Sequence, residues 1–152
     1  MATEPLASLK SSLYDKDFLV WTQETARLLR AGRPDKLDID HLAEEVEDMG
    51  KSQRRERDNR LMRLILHLLE WRYQPNRRSG SWKRSIDVQR VEISRLLGDS
   101  ASLRRTLPQA IAEVCPDAVR GASLETSLPA GQLSEQCPFT PDQILDRDFL
   151  PE

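Results

Sequence analysis

Arg60 to Pro75 reads RLMRLILHLLEWRYQP, and the rest of the chain is organised around this stretch. Leu61, Met62, Leu64, Ile65, Leu66, Leu68, Leu69 and Trp71 leave almost no polar face between Arg63 and Glu70. A helix that is apolar nearly all round belongs in the interior of a bundle. It is too short to cross a bilayer, which needs roughly 20 consecutive apolar residues. The preceding run KSQRRERDN has hardly an apolar atom, but it also lacks Pro and Gly and is rich in helix formers. One central helix is therefore expected from about Lys51 to Tyr73, standing out from the core at its start and ended by Pro75.

On the N-terminal side, Leu13 to Arg30 reads as a helix with Phe18, Trp21, Thr25, Leu28 and Leu29 on one face, Asp15 or Asp17 as cap and Gly32 at its end. A second helix is expected from Asp38 or Asp40, with Leu42, Val46 and Met49 on a buried stripe and Gly50 as its end or kink. Residues 1–12 read as a flexible N-terminus without the basic and apolar regions of a signal peptide. On the C-terminal side, Ser79 or Ser81 can cap a helix over Trp82 to Leu97, with Ile86, Ile93 and Leu97 inward. Helical segments follow from Ser102 and around Pro108, where Pro116 is expected to kink or end the helix, and SLPAGQLSEQCPF is expected to be mostly extended. Thr140-Pro141 then caps the short helix TPDQIL. The expected fold is all-α: a single-domain helical bundle over residues 13–152, with four to five main helices plus the short C-terminal one.

Charge is unevenly spread. Residues 51–105 carry 15 Lys and Arg against 6 acids, net +9, between an acidic N-terminal third (net −5) and an acidic C-terminal third (net −6). A basic middle binds a polyanion or is neutralised by its own flanks, and the sequence favours neutralisation because charged helix faces usually pair. Cys115 and Cys137 each precede a proline and lack metal-ligand spacing, so free thiols in a cytoplasmic, reducing compartment are expected.

Three blocks, YDKDFLVWTQETARLLRAGRPDKLDIDHLAEEVEDMGKSQRRE, HLLEWRYQPNRRSGSWKRSIDVQR and CPFTPDQILDRDFLPE, resemble the bacterial domain-of-unknown-function family number twenty-nine from Tyr14 to the C-terminus. The resemblance implies an all-helical, single-domain bacterial protein and carries no established activity, cofactor or catalytic residue. It departs at Glu70, where the family has Lys.

Two places can carry function. In YQPNRRSGSWKR a sharp turn enters a helix N-terminus, where free backbone N–H groups meet Arg77, Arg78, Lys83 and Arg84, with the Ser79 and Ser81 hydroxyls as further donors. That chemistry suits phosphate, and Tyr73 and Trp82 could stack a base. The structural alternative puts Trp82 in the core and pairs the arginines with carboxylates. The second place is a pair of His-x-x-Glu units, His41 with Glu44 and His67 with Glu70, on helices expected to be neighbours. With Glu45 and Asp48 they offer a mixed N/O set for a transition-metal ion, although His67 in so apolar a run reads better as a core histidine. No nucleophile elbow or glycine-rich phosphate loop is present. The reading is therefore a non-catalytic interaction module without a cofactor, whose partner is nucleic acid or an acidic protein and not a membrane. A homodimer is left open.

Overall fold

A computed structural model of the chain describes residues 13–133 and 136–152, so the expected flexible N-terminus lies outside the described residues. Among them there is helix and no strand: α1 (Phe18–Arg30), α2 (Ile39–Tyr73), α3 (Gly80–Asp99), α4 (Ala101–Arg105), α5 (Leu107–Thr126), α6 (Ala130–Leu133) and α7 (Pro141–Leu145). None of these is long and apolar enough to cross a membrane. The chain packs as two compact units, Met1–Lys51 and Ser52–Glu152.

The first unit is a helical hairpin. Asp17 caps α1 by accepting from the Val20 amide, and Gly32 takes the left-handed conformation (φ 64°) that lets the chain leave the helix. Trp21, Thr25, Leu28 and Leu37 are buried. The expected stripe on the second helix is not: Val46 and Met49 are 54% and 62% exposed, and Phe18 and Leu29 of α1 are half exposed as well. One helix covers only one side of another, so a two-helix unit leaves an open apolar groove of about 570 Å³ lined by Phe18, Trp21, Leu29, Leu42, Val46 and Met49.

The helix expected to end or kink at Gly50 runs through it as part of the 35-residue α2. A mid-helix glycine costs only about 1 kcal/mol relative to alanine, and the good helix formers on either side outweigh that. The same holds at Pro116, which sits inside α5 without ending it. Its ring forfeits one backbone bond, whereas Ala110, Ile111, Cys115, Ala118, Val119 and Ala122 along that helix all bury against the core.

The second unit holds the main core. Leu61, Leu64, Ile65, Leu68 and Leu69 are fully buried among Ile86, Ile93, Leu97, Ile111, Ala118, Leu133, Phe139 and Ile144. Gly121 brings α5 close to α2, since a Cβ there would lie 2.5 Å from Leu66 Cδ1. Arg57, in the run expected to be exposed, is buried, and its guanidinium donates to Leu103 O (2.9 Å) and Thr106 Oγ1 (2.7 Å), tying α2 to the α4–α5 junction. Arg90 of α3 is 1% exposed and donates to three carbonyls, Ile144 O (2.8 Å), Phe149 O (2.8 Å) and Gln143 O (3.1 Å), which fastens the C-terminal segment. Ser79 caps α3 through the Trp82 amide, and Thr140 forms a capping box with Gln143 on α7. The segment expected to be extended contains the short helix α6, whose Leu133 is fully buried and pulls that turn onto the core.

Candidate functional site

The basic segment assembles at the start of α3. Lys83 and Arg84 line a cavity of about 430 Å³ with Gly80, Ile86, Asp87, Arg90, Arg147 and Leu150. Arg147 reaches Asp87 with two bonds, Nε to Oδ1 at 2.9 Å and Nη2 to Oδ2 at 3.0 Å. This pairing lowers the Asp87 pKa and raises that of Arg147. Burial lowers the Arg90 pKa, with Asp146 and Asp87 opposing, but a guanidinium stays charged at any physiological pH. The cavity therefore presents four cationic side chains against one carboxylate. Lys83 and Arg84 are exposed and make no side-chain hydrogen bond or ion pair with any described residue of their unit.

The other residues expected at this site are used differently. Arg78 donates to Trp71 O at 2.8 Å, lies over the Trp71 ring at 5.2 Å and reaches Pro151 O at 3.5 Å, so it ties the last turns of α2 to the C-terminal segment. Ser79 is spent as the helix cap. Tyr73 packs on the core and donates its hydroxyl to Leu133 O at 2.6 Å, which removes it as a stacking platform. Trp82 is half-buried and lies outside the core cluster, contrary to the structural alternative. Arg77 and Ser81 are exposed beyond the cavity wall. The neutralisation by acidic flanks that charge counting favoured is not what these ion pairs show: Arg57, Arg60 and Arg95 pair with Asp58, Glu56 and Glu92 of the basic stretch itself, and the C-terminal third supplies a base, Arg147, to Asp87.

With this geometry in view the comparison with known families is decisive. The family model described as Domain of unknown function DUF29 matches residues 13–150. The chain belongs to that family. No curated protein and no solved structure matches it.

In this DUF29 chain the two His-x-x-Glu units do not converge. His41 and His67 were expected on neighbouring helices, yet both lie on α2, more than seven turns apart at 3.6 residues per turn. Each is already engaged. His41 Nδ1 bonds Asp38 Oδ2 at 2.6 Å and its ring stacks on Tyr14 (3.9 Å between centroids, 15° between planes). Tyr14 in turn donates to Glu45 Oε1 at 2.5 Å, which pushes the Tyr14 pKa up to about 12, while Asp38 raises that of His41. Glu44 and Asp48 are exposed. His67 Nδ1 bonds Glu70 Oε2 at 2.9 Å. Glu70 is buried, and its carboxylate raises the pKa of Glu125 on α5 to about 7. Among the described residues no three His, Cys, Asp or Glu side chains form a group able to hold a metal ion.

Sequence reasoning missed Arg147 and Asp87 as walls of the basic cavity. They lie 60 residues apart, and only packing of the C-terminal segment on α3 joins them. It also missed the Asp38–His41–Tyr14–Glu45 chain, although Asp38 and His41 stand three residues apart at the start of a helix, the spacing at which a cap reaches back.

Proposed function

We propose that this protein is a non-catalytic cytoplasmic binding module that takes phosphate groups of a nucleic acid at the Lys83–Arg84–Arg147 cavity. The observation that carries the reading is the charge of that cavity: its one carboxylate is already occupied by Arg147, leaving Lys83 and Arg84 to an external anion. Backbone N–H groups at the first turn of a 20-residue helix add to the attraction. Trp82, outside the core, offers a face on which a single-stranded base could stack, worth about 1–3 kcal/mol.

The test is anisotropy of a labelled single strand and a labelled duplex at several salt concentrations. Binding should weaken with a log–log slope of about −0.7 per phosphate contact on single strands and about −0.9 on duplex. Replacing Lys83 and Arg84 together by Ala should make that slope shallower by about one to two units without changing sequence preference, because phosphate contacts position a protein and do not read bases. The double variant should melt like the parent protein, since both side chains are exposed and neither makes a hydrogen bond or ion pair with a described residue of its unit. No binding at low salt, or an unchanged slope in the double variant, overturns the reading.

A further inference from the structure

We propose that Cys115 and Cys137 form a redox-active dithiol, in which a hydroperoxide oxidises Cys137 and Cys115 resolves the product to an intrachain disulfide. The inference is independent of the anion site. It stands on three features of the second unit. Both cysteines line one cavity of about 710 Å³, walled by Ile111, Pro116, Val119 and Pro141. They differ in access: Cys115 on α5 is 5% exposed within the core, whereas Cys137, on the segment leading to α7, is half-buried at the core edge. And each thiol perturbs the other: Cys137 raises the Cys115 pKa, while Cys115 and the Phe139 backbone lower that of Cys137.

The neighbouring Cys115 thiol and the Phe139 backbone favour the Cys137 thiolate. Cys137 accordingly titrates at about 7, below an ordinary thiol, while the Cys137 sulfur together with burial holds the Cys115 proton far more tightly. This is the asymmetry that a dithiol needs. The attacking sulfur has to be ionised and reachable, and the resolving sulfur has to be adjacent and shielded from the oxidant.

The chemistry balances without a further reactant. The Cys137 thiolate attacks one peroxide oxygen, forming an S–O bond as the O–O bond breaks. The other oxygen leaves and takes up a proton, as an alcohol from an alkyl hydroperoxide or as water from hydrogen peroxide. Cys137 is now a sulfenic acid. The Cys115 sulfur attacks the Cys137 sulfur, and the sulfenic oxygen departs as water with the Cys115 proton. Two thiols and one hydroperoxide thus become one disulfide, one alcohol and one water. Ile111, Pro116 and Val119 make the cavity wall apolar, which suits an alkyl hydroperoxide over a charged oxidant.

The experiment exposes the full chain to hydrogen peroxide, blocks residual thiols under denaturing conditions and maps the peptides by mass spectrometry. A disulfide joining Cys115 to Cys137 within one chain, reversed by dithiothreitol, is expected. In Cys115→Ala the reaction should stop at Cys137 sulfenic acid, captured by dimedone. In Cys137→Ser the Cys115 thiol should survive a dose that converts the parent protein completely. Alkylation of Cys137 by iodoacetamide in the parent protein should be half-maximal near pH 7 and move up by about one pH unit or more in Cys115→Ala, because a thiolate that loses the neighbouring thiol loses stabilisation. The alkylation profile needs no disulfide to form, so it tests the pair even if a variant folds poorly under peroxide. Persistence of both thiols, disulfides between chains, or equal reactivity of the two single variants overturns the proposal.

Discussion

Arg90 is a cation in the interior with no carboxylate bonded to it. Its three bonds all end on backbone carbonyls of the C-terminal segment, at Ile144, Phe149 and Gln143. A buried guanidinium is tolerable when its donors are satisfied, and here it donates to three carbonyls of the C-terminal segment. Arg90→Met keeps much of the volume and removes every donor. Leaving buried carbonyls unpaired costs about 1–3 kcal/mol each, so a loss of about 2–5 kcal/mol is expected once some recover water by fraying. Urea denaturation checks it, and a midpoint equal to that of the parent protein would show that the C-terminal segment does not depend on this side chain. In the sequence Arg90 stood only near the expected core face of its helix. Which side of α3 is inward followed from Ile86, Ile93 and Leu97, but what an arginine among them would bond could not be read, because its partners lie more than 50 residues away.

Between elements, the contact of α2 with α5 carries a titration. Glu70 is buried, and despite the opposing effect of burial, bonds from His67 and Glu125 hold its pKa below the usual carboxylate range. Glu125 is raised to about 7, chiefly by its hydrogen bond to Glu70 and then by burial and the Glu70 charge, with His67 opposing. A group whose folded pKa lies above its unfolded value contributes stability that is fully present below the unfolded pKa and is lost as pH rises through the folded one. The Glu125 contribution should therefore fade between about pH 4.5 and 7, a window in which ionised Glu70 keeps its own. Melting temperature should decline across that window in the parent protein and flatten in Glu125→Gln, which donates the same hydrogen bond at every pH. An identical slope in the two proteins would place the titration elsewhere. Helix identity was legible at this scale: the core residues Leu61 to Leu69 of α2, the stripe of α3 and the caps at Ser79 and Thr140 stand where periodicity and cap chemistry put them, whereas the stripe expected over Leu42, Val46 and Met49 does not. Helix length was not, since Gly50 and Pro116 are local penalties that the surrounding helix outweighs.

On the scale of the whole chain, apolar burial is uneven. The large core cluster lies entirely within Ser52–Glu152, whereas among the described residues of the first unit the buried apolar side chains are Trp21, Leu28 and Leu37. Helical hydrogen bonds are protected by what covers them, so the single helix α2 should exchange its amides unevenly. Leu61 to Leu69 should exchange more slowly than Leu42 to Met49 by on the order of a hundredfold or more. Native-state hydrogen exchange measures this directly, and uniform protection along α2 would mean that the exposed Val46 and Met49 faces are covered in solution. From composition and periodicity alone followed the all-α class, the central apolar helix and the concentration of positive charge in the middle of the chain, and the resemblance of three sequence blocks pointed to the family now matched over residues 13–150. Those properties depend on residues within a few turns of one another or on sums over segments. Tertiary structure alone decided which cations remain free: Arg57, Arg78 and Arg90 are spent on carbonyls, while Lys83 and Arg84 face a cavity closed by Arg147. It also decided that the two cysteines line one cavity. The reason is physical: hydrogen bonds and shared cavities depend on positions in space, and residues 22 to 60 apart become neighbours only when the core folds the chain back upon itself.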